Sequence, residues 1–187
     1  MYVLGIDPGL SGGLCVLNED GIIDVMRMPT CTRPNRKGNW IDLEKIWDFV
    51  DKYAYDWTDY SSDYQSKFDW IKHICIERQF ILRSQGMSSG SKTMFQSGML
   101  YGFCQQFDAT VNEVNAKDWQ TYIFDKVDES RIVKYNYDND TKLKSIAYVE
   151  QTYGSKYLFY SKRQTKPSDG LADAICIASY ALYKNKN

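Results

Sequence analysis

Four acidic residues stand where carboxylates need a partner. Asp7 closes the apolar run Val3-Leu4-Gly5-Ile6, and Glu77 closes Ile74-Cys75-Ile76. Asp169 and Asp173 belong to Pro167-Ser168-Asp169-Gly170-Leu171-Ala172-Asp173-Ala174-Ile175-Cys176, which is otherwise mostly apolar. Aspartate is depleted in strands, and an unpaired buried charge is expensive. In a helix, Asp169 and Asp173 lie four residues apart on one face, where like charges destabilise by about 0.2–0.5 kcal/mol. A shared divalent cation would turn that repulsion into binding. A site made only of carboxylates suits a hard cation such as Mg2+, with Mn2+ able to substitute. Each acid also has an ordinary use: turn former before Pro8-Gly9, strand-end charge, or helix cap beside Ser168. Their convergence is what would make them a site.

That convergence depends on the elements carrying them. Strands are predicted over 2–7, 13–17 and 22–28, the last two joined by the turn Asn18-Glu19-Asp20-Gly21. The stretch 29–39 reads as a polar loop carrying Arg33, Arg36 and Lys37. Helical spacing of Ile41, Ile46, Phe49, Val50 and Tyr53 predicts a helix over 41–54, followed by an irregular connection or helix extension at 55–69. A strand at 71–77 ends on Glu77. A Gly/Ser-rich loop over 83–91 leads to a helix over 92–107, then a short strand at 111–114 and helices near 116–124, 141–153 and 169–184. Three antiparallel strands followed by alternating strands and helices indicate an α/β fold, a mixed sheet with helices on its faces. If the strands ending in Asp7 and Glu77 are parallel neighbours, their carboxyl ends form the edge at which open α/β sheets bind ligands.

The chain has 187 residues and a formal net charge of −1, from 23 basic and 24 acidic side chains. That length suits a single domain, 1–187, burying roughly 70% of its unfolded surface. The balanced charge neither announces nor excludes nucleic-acid binding, since a local basic surface can lie beside an acidic pocket. Cys15, Cys31, Cys75, Cys104 and Cys176 form no CxxC pair, and His73 is the sole histidine, which argues against a zinc site. Reduced, mostly buried thiols are expected. No apolar run reaches the roughly 18 residues of a membrane span, and the N-terminus does not read as a secretory signal. A cytoplasmic protein is expected.

Taken in order, Gly5-Ile6-Asp7-Pro8-Gly9, Ile76-Glu77-Arg78-Gln79-Phe80 and Asp169-Gly170-Leu171-Ala172-Asp173-Ala174-Ile175 resemble the motifs of the RuvC-type Holliday-junction resolvases of the ribonuclease-H-like superfamily. The resemblance runs over essentially the whole chain and points to a bacteriophage member, working in the host cytoplasm. It implies a five-stranded mixed sheet, a homodimer, and Mg2+-dependent nicking of four-way DNA junctions. Asp7, Glu77, Asp169 and Asp173 would be the catalytic metal ligands. Phe80 would be an aromatic that stacks on an unpaired base near the crossover, an interaction worth about 1–3 kcal/mol per base. Lys117 approximates a basic residue near the scissile phosphate, and Gly98 and Gly102 would lie on a helix at the subunit contact. Arg33, Arg36, Lys37, Arg83 and Lys92, in loops or at a helix start, could meet phosphates. One departure is the spacing of the last two acids: four here, three in the better-known bacterial members.

Other functions remain open from the residues alone. A ribonuclease-H-like nuclease acting on forks, flaps or RNA–DNA hybrids would use the same acids, and a junction-binding protein could keep the fold without cleavage. Asp7-Pro8-Gly9-Leu10-Ser11-Gly12-Gly13 also resembles the phosphate loop of sugar kinases and actin-like ATPases, which need two such domains.

Overall fold

The computed structural model describes residues 1–34, 36–53, 70–80, 86–133, 135, 140–161 and 163–186, with backbone only at 36, 37 and 87. Strands β1 (Tyr2–Asp7), β2 (Gly13–Asn18) and β3 (Gly21–Arg27) form an antiparallel meander, turning at Asn18 to Gly21. Gly21 has φ of +133°, a backbone that side-chain-bearing residues rarely adopt. The Asn18 side-chain oxygen accepts from the amides of Asp20 and Gly21, closing the turn. Strand β6 (Ile71–Glu77) pairs parallel to β1, and β7 (Thr110–Val114) parallel to β6. The order β3-β2-β1-β6-β7 is a five-stranded mixed sheet, as expected.

Alternation along the strands sorts the core into two layers. Val3, Cys15, Leu17 and Cys75 pack with α3 (Ala116–Phe124), α4 (Asp140–Thr152) and α5 (Asp169–Lys184). Leu4, Ile6, Leu14, Val16, Ile74 and Ile76 pack on the opposite face with α1 (Leu43–Val50) and α2 (Met87–Cys104). The period of two then places Asp7 with Val3, and Glu77 with Cys75, on the face that α5 covers. Four of the five cysteines are buried, and all five are free thiols.

Three expectations need correction. The stretch read as a polar loop is a second, two-stranded sheet, β4 (Thr30–Arg33) paired antiparallel with β5 (Arg36–Ile41). It folds because tertiary contacts hold it: the Ile41 amide donates to Gln96 Oε1 of α2 at 2.7 Å, and the Arg33 guanidinium donates to the Met99 sulfur of α2 at 3.7 Å. The helix expected over 41–54 is shorter, capped by Asp42 and ending in a 3-10 turn at Asp51–Tyr53. Helix α2 begins at Met87 rather than 92, so Lys92 lies within the helix and not at its start. The segment 55–69 lies outside the described residues.

Candidate active site

Asp7 ends β1 where the chain turns sharply. Its Oδ1 accepts from the Gly9 amide at 3.0 Å, and the Gly12 amide donates to the Gly9 carbonyl at 2.8 Å. The turn folds over Asp7 so closely that a Cβ at position 12 would stand 2.2 Å from the Asp7 carbonyl oxygen and 2.7 Å from its carboxyl carbon. Only glycine fits there. The carboxyl is thereby held by one oxygen, leaving its second for another partner.

Glu77 ends β6. Ile6 stands opposite Ile76 in the parallel pair, so Asp7 and Glu77 follow one residue later on adjacent strands. The Glu77 Oε2 accepts from the indole N–H of Trp119 at 2.9 Å, and Trp119 is fully buried on α3. Strand β7 braces the same end, with the Arg78 amide donating to the Val114 carbonyl at 2.8 Å.

Helix α5 brings the other two acids. Ser168 caps it, its hydroxyl accepting from the Leu171 amide at 3.3 Å, which puts Asp169 in the first turn and Asp173 one turn later. The helix lies directly on the sheet because Gly5 has no side chain; a Cβ there would stand 2.3 Å from the Ala178 amide nitrogen and 2.5 Å from the Ala174 carbonyl oxygen. Gly170 similarly lets its first turn touch the loop after β1, where a Cβ would stand 2.1 Å from the Ser11 carbonyl oxygen. Glycines on both sides of the contact therefore set the approach of Asp169 and Asp173 to Asp7.

The four carboxyls repel one another. Burial, followed by the charge of Asp169, raises the Asp7 pKa from 3.8 to about 6, against the lowering effects of the Gly9 hydrogen bond and the Lys142 charge. Burial and then the charge of Asp7 raise Glu77 from 4.5 to about 7, against the Trp119 hydrogen bond. Asp173 is raised well above its usual value by burial, then by Asp7, with Glu77 and Asp169 adding to it; a hydrogen bond with Ser145 of α4 opposes the shift. The cation among them is Lys142 of α4, whose ammonium donates to Asp169 Oδ2 and also feels the charges of Asp173 and Asp7.

Lys142 and Trp119 escaped the sequence reading. Lys142 sits in the polar first turn of α4, where lysine is unremarkable. Trp119 carries a better signal: it stands two residues after Lys117, and a tryptophan buried on a helix needs a partner for its N–H. The outer predicted residues are more dispersed. Phe80, three residues beyond Glu77, is 59% exposed rather than buried in the core. Lys117 is exposed in the first turn of α3. Arg33 sits on β4 and donates to the Met99 sulfur of α2 at 3.7 Å, and the Lys92 ammonium of α2 lies 4.8 Å from the ring centre of Trp40 on β5, so both help to fasten the hairpin to α2. Arg36 and Lys37 lie on β5, and Arg83 is outside the described residues.

The donor set fits a hard divalent cation in its chemistry: four carboxylates at one sheet edge, three of them, Asp7, Glu77 and Asp173, with pKa values raised by burial and by neighbouring carboxylates, and one oxygen of Asp7 and of Glu77 held by a protein N–H. Among the described residues no three metal-ligating side chains are gathered at the distances of a single ion.

No family model matches the sequence, and no curated protein matches it. Among solved structures the chain is similar to Thermus thermophilus RuvC in complex with a Holliday junction substrate, with TM-score 0.54 and 18% identity. It is also similar to a second Thermus thermophilus RuvC structure, with TM-score 0.52 and 18% identity. Each likeness covers 100% of this chain and 96% of that one. The chain thus has the RuvC-like, ribonuclease-H-like fold over its full described architecture.

Proposed function

We propose that this chain is a divalent-metal-dependent, structure-selective DNA endonuclease that nicks four-way junctions. The observation that carries it is the meeting of Asp7, Glu77, Asp169 and Asp173, from three segments distant in sequence, at one edge of a RuvC-like sheet. The similar Thermus thermophilus protein, seen with a Holliday junction substrate, supports the choice of DNA.

In this proposal the four acids hold Mg2+, with Mn2+ as a substitute. When bound, the metal supplies Lewis acidity toward the phosphoryl oxygens and lowers the pKa of a water. The chain's own residues do the rest. Gly9 and Trp119 fix one oxygen each of Asp7 and Glu77, so these carboxylates are oriented before substrate arrives. Lys142 offsets part of the negative field that would otherwise repel a phosphodiester, and it holds Asp169 in place. No covalent nucleophile is required.

The whole chain would act as one domain. Phe80, exposed three residues beyond Glu77, would stack on an unpaired base, and Lys117, exposed on α3, would meet a phosphate. A homodimer would present two such edges to a junction that has two-fold symmetry of its own. Helix α2 offers the face for it: Met94 and Phe95 are exposed, and a Cβ added at Gly98 or Gly102 would meet nothing within 4 Å. Among the described residues no helix is long and apolar enough to cross a membrane.

The test is incubation of the protein with synthetic four-way junctions, forks, flaps, hybrids and linear duplex, with and without Mg2+, beside Asp7→Asn and Glu77→Gln. Metal-dependent nicking strongest on four-way junctions, lost in both variants, is expected. Equal or better cleavage of forks, flaps or hybrids would move the substrate class, and no nicking of any branched DNA would end the enzyme proposal.

A further inference from the structure

Beside the acid edge, but outside it, lies an open cleft of about 430 Å³ whose walls include Ser11, Arg27, Tyr160, Arg163, Lys166 and Asp169. Three of these side chains are cations. The carboxylate of Asp169 is engaged by Lys142, so the cleft as a whole is positive in a chain of net charge −1. Two of its walls, Ser11 and Asp169, also belong to the acid site: Ser11 is in the loop that folds over Asp7, and its carbonyl touches the first turn of α5 at Gly170.

The cationic wall is held in shape. Arg27, at the end of β3, places its guanidinium 4.9 Å from the ring centre of Tyr160, which is itself 54% exposed. The loop after Leu158 is pinned by Gln164, whose Oε1 accepts from the Tyr160 amide at 3.0 Å and whose Nε2 donates to the carbonyl of Lys166. The Ser168 amide donates back to the Leu158 carbonyl at 2.8 Å. Arg163 and Lys166 are thus presented beside hydrogen-bonded backbone, and the Arg27 guanidinium lies over the ring of Tyr160.

Guanidinium forks recognise phosphate oxygens, and an exposed tyrosine ring accepts a sugar or base face. We propose that this cleft seats the sugar–phosphate backbone of the DNA strand running on from the scissile phosphate, holding one arm of the branched substrate against the acid edge. The inference rests on the proposed nuclease function and names the surface that would position its substrate. DNA is favoured over a free nucleotide because the cleft is open and continuous with the acid edge, as a through-running polymer requires. Arg27, Arg163 and Lys166 act there as positioning residues.

The experiment measures anisotropy of a fluorescently labelled four-way junction, with Asp7→Asn in every protein to prevent cleavage, across a salt series. The comparison protein carries Arg27→Ala, Arg163→Ala and Lys166→Ala together. All three side chains are exposed, and a thermal melt checks that the fold is kept. Each phosphate contact contributes roughly −0.9 to the slope of log affinity against log salt. The triple variant should therefore lose between about two and three from that slope and bind at least tenfold more weakly at about 100 mM salt. Should the triple variant fail to fold, the single variants Arg163→Gln and Lys166→Gln are read in the same way, each expected to remove about one from the slope. An unchanged slope with affinity within twofold of the parent overturns the proposal, as does a parent that binds no junction. Nicking by the unaltered protein is scored separately. A cleft-dependent slope without nicking would keep the cleft and sink the nuclease, whereas nicking with an unchanged slope would do the reverse.

Discussion

The indole N–H of Trp119 donates to Glu77 Oε2 at 2.9 Å from a fully buried position on α3. This bond lowers the pKa of a carboxyl that burial and then Asp7 push up to about 7. Trp119→Phe removes the donor and leaves a small cavity. A loss of about 1–3 kcal/mol in stability is expected from the broken bond, read by urea denaturation. The acidic limb of the nicking rate against pH should move to higher pH, because Glu77 then holds its proton more tightly. A limb that stays in place would show that Glu77 does not control it.

The raised carboxyls make a prediction about stability and pH. Asp7 and Glu77 bind protons more tightly folded than unfolded, with values moving from 3.8 to about 6 and from 4.5 to about 7. The unfolded state therefore binds fewer protons across that window, and the contribution of these groups to stability falls as pH rises from about 4 to about 7, then levels off. Metal-free protein should melt several degrees lower at pH 8 than at pH 5, at about 2–4 °C per kcal/mol for a chain of this size. Mg2+ should restore the loss at pH 8 and do little at pH 5, where protons compete for the ligands. Asp173→Asn should flatten the dependence while abolishing nicking. Equal melting at both pH values, with no effect of Mg2+, would count against the metal site.

Lys142 is the cation that Asp169, Asp173 and Asp7 share. Lys142→Met should raise the Asp7 pKa above its present value of about 6, because the ammonium is one of the groups lowering it. Nicking should fall at least tenfold, with Lys142→Arg retaining more activity than Met at every pH. Chemical-shift titration of the Asp7 carboxyl gives the first outcome, and a junction-nicking time course the second.

Gly5 is where helix and sheet touch, with backbone atoms of Ala174 and Ala178 inside 2.6 Å of an added Cβ. Backbone cannot step aside as a flexible side chain can. Gly5→Ala should destabilise by about 3 kcal/mol or more, at the upper end of overpacking, and should separate the acids of α5 from Asp7. A urea midpoint like that of the parent would contradict the contact.

Gly98 and Gly102 make the opposite prediction, since an added Cβ at either meets nothing within 4 Å. In a monomer, Gly98→Ala and Gly102→Ala should each stabilise α2 by about 0.5–1 kcal/mol through helix propensity. If this face joins two copies, the same methyls stand in the contact and should weaken self-association. Sedimentation of both variants against the parent separates the outcomes.

How much was legible in the sequence varied with what stabilised each element. Strands β1 and β6 announce themselves because a buried apolar run stops at a charged residue, and α5 because its cap and apolar faces coincide. Asp7 and Glu77 could be grouped for the same reason, since alternation and the parallel pairing of β1 with β6 put them at neighbouring strand ends on one face. The hairpin of β4 and β5 is hidden, because its polar, basic sequence carries no period-two signal and its support comes from Gln96, Met99 and Lys92 of α2. The first turn of α2 was read as loop since Met87-Ser88-Ser89-Gly90 has poor helix propensity, and Gly90 is helical where it is buried. Lys142 could not be found by local pattern at all. Its role arises from α4 lying across the first turn of α5.

The two halves of the acid cluster are also separated in time. Asp7 and Glu77 leave a ribosome well before α5, Asp169–Lys184, which carries the other two acids and must dock on Gly5 before the four meet. If the four acids form the proposed metal site, a nascent chain stalled short of that helix would hold only half of it and would leave nearby DNA uncut. Synthesis order would then serve the proposed nuclease as a safety catch, released only when α5 lies down on the sheet.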